Sequence, residues 1–157
     1  MAKTDIKDLN RFLKPFSNEK RETVFWLRGF IWDLYPTSNE LIYDNYNALA
    51  IGWSPTDRVG HVFCNIAIGR TSYNIQFGFY WGIEIDDPKK ILIGEGNQYR
   101  YLHVKEISEF PKTYIKKLLI QAYKNSLAKV KDKSQLIQGN TITKSVSAKK
   151  RTLKKRN

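Results

Sequence analysis

Between Tyr73 and Tyr80 the side chains alternate without a break, with Tyr73, Ile75, Phe77 and Phe79 facing one way and Asn74, Gln76, Gly78 and Tyr80 the other. A period of two belongs to a β-strand, and a strand with one strongly apolar face needs a second layer to cover it. The residues before it repeat the signal. Val62, Cys64, Ile66 and Ile68 alternate with His61, Phe63, Asn65 and Ala67, and Gly69-Arg70-Thr71 is short enough for a hairpin turn. Tyr46 to Trp53 reads as an earlier strand with Leu49, Ile51 and Trp53 on one face, separated from the next by the loop Ser54 to Gly60. Consecutive strands joined by short turns predict an antiparallel sheet.

The covering layer is predicted from both ends of the chain. Apolar residues at 6, 9, 12, 13 and 16 suit a short helix that Pro15 ends. Ser17 or Asn18 can cap a second helix, whose stripe of Val24, Leu27, Ile31 and Leu34 stops at Pro36. Asp86-Asp87-Pro88 opens a loop that turns at Gly94-Glu95-Gly96, and Tyr99 to Ile107 returns to strand. Pro111 suits the first turn of a last helix with Ile115, Leu118, Leu119, Ala122 and Ser126 on one stripe. The expected fold is α+β, an antiparallel sheet flanked by N- and C-terminal helices.

Charge divides the chain. The net charge is +12, yet residues 1–128 hold 17 Lys/Arg against 14 Asp/Glu, and residues 129–157 hold 10 Lys/Arg against one Asp. The excess sits in the last stretch, where apolar residues are too sparse to offset the entropy of ordering. We therefore expect a domain over 1–128 and a basic, mobile tail over 129–157. A single cysteine, Cys64, forms no internal disulfide, and the sequence shows neither a signal-peptide pattern nor an apolar run of membrane-spanning length, so a cytoplasmic location is expected.

Several segments carry a resemblance. Leu34-Tyr35-Pro36, Glu40-Leu41-Ile42-Tyr43, Ala48-Leu49-Ala50-Ile51-Gly52 and the stretch from Ile85 to Lys105 resemble the YdhG-like family of small bacterial domains of unknown function. Some of its members are named iron chaperones with a frataxin-like fold. The resemblance spans roughly residues 9–128 and implies a frataxin-like two-layer arrangement. Iron delivery is the activity it adds. Against that, the helix expected to carry an acidic ridge interleaves Glu19, Glu22 and Asp33 with Lys20, Arg21 and Arg28.

Candidate site residues fall into three groups. Glu84 and Asp86 would share a strand face and are the weak metal candidates, with Asp87 adjacent; alternatively Asp86-Asp87-Pro88 is a turn whose carboxylates bond nearby amides. Gly94 and Gly96 with Arg100 form a glycine-arginine loop able to clamp an anion, and Tyr43, Tyr46, Trp53 and Tyr80 could line a pocket, or pack as ordinary core. Lys149, Lys150, Arg151, Lys154, Lys155 and Arg156 would contact polyanions by counterion release. His61 and His103 are the only histidines and no acid–base–nucleophile set is visible, so neither an enzyme nor a cofactor is expected. The expected function is a non-enzymatic binding or adaptor domain for a small anionic ligand or a protein partner. A weak nucleic-acid or ribosome association through the tail is the second reading, and iron chaperoning the third.

Overall fold

The computed structural model describes residues 6–152. Two helices, α1 (Lys7–Leu13) and α2 (Asn18–Leu34), precede the sheet, and α3 (Lys112–Lys129) follows its first five strands. The helix signals act as expected: Ser17 caps α2 by accepting the Lys20 amide, and α3 starts immediately after Pro111. The strands are β1 (Asn39–Asp44), β2 (Ala48–Ser54), β3 (Cys64–Gly69), β4 (Ile75–Phe79), β5 (Arg100–His103) and β6 (Thr141–Val146), ordered β5-β4-β3-β2-β1-β6 across one open sheet. Neighbours from β1 to β5 are antiparallel, as alternation and short turns require. Among the described residues no helix is long and apolar enough to cross a membrane.

Register assigns the two faces. Ile42, Ile51, Ile66 and Phe77 stand in one row across the sheet, and Leu49, Ile68 and Ile75 lie in the next row of the same parity. These residues share the main core with Leu9 and Leu13 of α1, Leu27 and Ile31 of α2, and Leu118 and Leu119 of α3. All three helices therefore pack on one face of the sheet. The other face carries side chains of the opposite parity, and none of α1, α2 and α3 packs over it.

Two features depart from the sequence expectation. β1 was not anticipated, because five of its six residues are buried and the two-residue period disappears when both faces of a strand are covered. The stretch expected to be a mobile tail instead supplies β6, which pairs parallel with β1, so the sheet is not wholly antiparallel. Asn39 holds the approach to β6. Its side-chain amide donates to Ser54 O at 3.1 Å and Ile137 O at 2.8 Å, and its Oδ1 accepts from the Asn140 amide at 3.0 Å.

The helix-covered face also contains buried charge. Arg28 on α2 meets Glu40 on β1 in a two-pronged pair, Nε–Oε2 2.5 Å and Nη2–Oε1 3.1 Å, with both side chains almost inaccessible. The Thr141 hydroxyl of β6 donates to the same Glu40 at 3.1 Å, and the Arg28 guanidinium lies 4.9 Å from the centre of the Trp32 ring. Four positions along β1, Asp44 pairs with Arg70 from the β3–β4 turn and, at 3.1 Å, with Lys150. We predict that Arg28→Ala, which strands a buried carboxylate, costs about 3–5 kcal/mol in urea denaturation, and that Arg28→Met combined with Glu40→Leu recovers most of the loss. Equal stability of the single and double variants would contradict this account.

Candidate ligand-binding site on the open face of the sheet

The uncovered face is floored by small side chains. One cross-strand row runs Leu41, Gly52, Asn65, Gly78, Tyr101, and the next runs Tyr43, Ala50, Ala67, Gln76, His103. Glycine at 78 is a steric requirement, since a Cβ there would stand 2.3 Å from Tyr99 ring atoms. Tyr99 thus lies directly on the sheet, and its hydroxyl donates to Asn65 Oδ1 at 2.9 Å. Its ring is 5.6 Å from both Tyr80 and Tyr101, and Tyr101 meets His103 edge-on at 5.5 Å. Burial raises the pKa of the Tyr80 phenol, and burial followed by the nearby Tyr80 raises that of Tyr43. The Tyr43 hydroxyl is enclosed and has no hydrogen-bond partner among the described residues.

Tyr43 forms one wall of an open cavity of about 710 Å³, whose other lining includes Arg58, His61, Trp81, Lys129 and Lys144. Each of these is positioned by a local device. The loop after β2 is tied by the Ser54 hydroxyl, which accepts the Thr56 amide at 3.1 Å, and by the Thr56 hydroxyl, which accepts the Arg58 amide at 3.1 Å and lies 2.7 Å from His61 Nδ1. Ser126 of α3 donates to His61 O, fixing the far end of that loop. Trp81 has a left-handed backbone (φ 56°), a conformation costing a non-glycine residue roughly 1–2 kcal/mol, and its indole N–H donates to Gly60 O at 3.4 Å. Lys129, in the last turn of α3, sits 4.9 Å from the Trp81 ring centre and 2.7 Å from Glu84. Lys144 enters through an irregularity in β6: Ile42 pairs with Thr143 and Tyr43 with Ser145, leaving Lys144 out of register.

The residues grouped from sequence are divided by this geometry. Tyr43 and Tyr80 lie on the open face. Trp53 is fully buried on the helix-covered side, opposite Glu40 in register. Arg100 pairs with Phe79, its aliphatic stem fills the space above Gly82, and its Nε is buried without a partner. Tyr46 is exposed beyond β1. Gly94 (φ 119°) closes against the Tyr99 carbonyl beside the Ile93–Tyr101 bridge, while Gly96 is exposed in the turn between them.

Asp87 follows the turn alternative, and Asp86 is held through its backbone. The Asp86 backbone exchanges hydrogen bonds with the Gln121 amide, and the Asp87 carboxylate accepts from Tyr114, Ile91 N and Leu92 N. Glu84 is paired with Lys129, and among the described residues no group of three or more His, Cys, Asp or Glu could hold a metal ion. In the basic segment Lys150 is held at Asp44, the Arg151 amide donates to Tyr46 O at 2.9 Å, and Lys149 is exposed. Lys154, Lys155 and Arg156 lie outside the described residues.

Arg58, His61, Trp81, Lys129 and Lys144 were not proposed from sequence as a site. They come from four separated segments, and no motif joins them. Comparison with protein-family models, curated proteins and solved structures returns no match for this chain.

The Asp87 turn makes a pH-dependent prediction. Desolvation pushes this carboxyl up, but hydrogen bonds from Tyr114 and from the Leu92, Ile91 and Lys90 amides together hold it below its ordinary 3.8. Its contribution to stability is therefore present above the unfolded value and is lost as pH falls through the lower folded value. Tyr114→Phe should move the Asp87 titration midpoint upward, read by carboxyl NMR between about pH 2 and pH 5. An unchanged midpoint would remove Tyr114 from this account.

Proposed function

We propose that this chain is a non-enzymatic binding domain that holds an anionic ligand in the cavity on the open face of its sheet. One observation carries the reading: Arg58, His61, Lys129 and Lys144 line one cavity together with Tyr43 and Trp81. None of the lining residues is acidic. Arg58 supplies a planar donor fork, Lys144 a mobile point charge, and Trp81 a flat apolar wall. Glu84 neutralises part of Lys129, so Arg58 and Lys144 supply most of the attraction.

The YdhG-like resemblance and its frataxin-like arrangement belong to the same reading. Support for them comes from helices packed on one side of a largely antiparallel sheet, which leaves the other side for binding. We further propose a cytoplasmic location and a role for the basic C-terminal segment in polyanion contact, for which Lys149 and Arg151 are exposed candidates among the described residues.

Thermal denaturation of the full chain at low ionic strength, across a panel of phosphates and organic carboxylates, tests the cavity. A ligand at a hundredfold its Kd should stabilise by about 2.7 kcal/mol. Arg58→Ala with Lys144→Ala should remove the shift, and Lys149→Ala should leave it. If no anion shifts wild type, or if the double variant responds fully, the cavity is not the binding site.

A further inference from the structure

The basic cavity accounts for one end of the open face and leaves its tyrosines unexplained. Tyr80 adjoins Tyr99, Tyr99 stacks with Tyr101, and Tyr101 meets His103, so aromatic rings continue from the cavity side toward the β5 edge. Tyr80, Tyr99 and Tyr101 are half-buried and His103 is exposed, which leaves ring surface accessible along that line. The small, half-buried floor residues Ala50 and Ala67 keep that part of the face low enough for a flat group to approach.

Charge agrees with the shape. Neither cross-strand row on this face contains an acidic residue. The two carboxylates of β1, Glu40 and Asp44, belong to the opposite parity and are neutralised there by Arg28, Arg70 and Lys150. A face with several aromatic surfaces, no carboxylate in its strands and cations along one rim matches a ligand that repeats both a planar ring and a negative charge. From β1 to β5 the face spans four strand spacings, about 19 Å. That width suits a few nucleotides, the lower end of the roughly 4–16 that single-strand platforms occupy.

We propose that the open face is a stacking platform for single-stranded nucleic acid, with bases on Tyr80, Tyr101 and His103 and phosphates at Arg58, Lys129 and Lys144. This rests on the anion-binding reading of the cavity and specifies its ligand class. It differs from attraction by the basic C-terminal segment, because stacking requires bases and charge attraction does not.

Fluorescence anisotropy of the full chain with labelled oligo-dT and oligo-U of about ten nucleotides tests it, with inorganic polyphosphate as a competitor that lacks bases. Tyr101→Ala should weaken oligonucleotide binding roughly fivefold or more with little change in salt dependence, and Tyr101→Phe should retain it. Lys144→Ala should weaken binding and reduce the slope of log K against log salt by about 0.7. Comparable binding of dT and U places recognition on base and phosphate, and preference for U adds a 2′-hydroxyl contact; both support the platform. Melting curves of each variant separate lost binding from lost folding. Polyphosphate competing as well as oligonucleotide, with Tyr101→Ala silent, overturns the platform and leaves the anion cavity standing. No oligonucleotide binding alongside a wild-type shift with small anions does the same. Failure of both assays removes the cavity as well.

Discussion

The buried pair between Arg28 and Glu40 is the interaction on which the rest of the fold depends. A carboxylate enclosed in the core is tolerable only where a cation and further donors meet it, and those partners come from separate parts of the chain. Arg28 ties α2 to β1, and Thr141 brings the start of β6 to the same carboxylate. Asp44 repeats the arrangement at the other end of β1, drawing in Arg70 from the β3–β4 turn and Lys150 beyond β6. Two acids on one strand therefore define where a helix, a turn and the C-terminal segment attach. Their cost in desolvation is set against specificity of register, since sliding β6 by one residue would move Thr141 away from Glu40.

The same division of charge shapes the open face. With the acids of β1 neutralised on the helix side, β1 to β5 keep only uncharged and aromatic side chains on the opposite face, and its cations arrive from the loop after β2, from α3 and from the irregularity in β6. Val62 and Tyr99 pack directly over Gly52 and Gly78, so both side chains lie close to the sheet. Val62 and Leu41 are buried there but stand outside the main core, a small second cluster beneath the loop after β2. The face is thus shaped by side chains lying flat on it, away from α1, α2 and α3.

How much of this was legible in the sequence depended on whether an element was covered on one side or two. β2, β3 and β4 alternate because one face is core and the other is open, and α2 and α3 show helical stripes for the same reason. β1 is buried on both sides and loses the alternation. β6 contains Thr, Ser and Lys, and its order depends on pairing with β1, so neither strand could be recognised without the other. The set Tyr43, Tyr46, Trp53 and Tyr80 is divided for a related reason: strand register, which a single sequence leaves undetermined, sends Tyr43 and Trp53 to opposite faces. Tyr43 and Tyr80 were recognised as pocket candidates because so many large aromatics exceed what a small core needs. Arg58, Trp81, Lys129 and Lys144 have no such signal, since only the fold brings them together.

The misregistered Lys144 has a consequence for how copies of this protein behave toward one another. β6 is an outer strand of the sheet, and Thr141-Ile142-Thr143 is rich in the β-branched residues that favour strand addition. A regular edge of that composition would offer an unbroken row of amides and carbonyls to a second chain. The irregularity interrupts that row in the middle of the strand, and the residue placed at the interruption is a lysine, whose charge opposes close stacking of like edges. One irregular residue thus contributes a cation to the cavity and limits edge-to-edge self-association of the sheet.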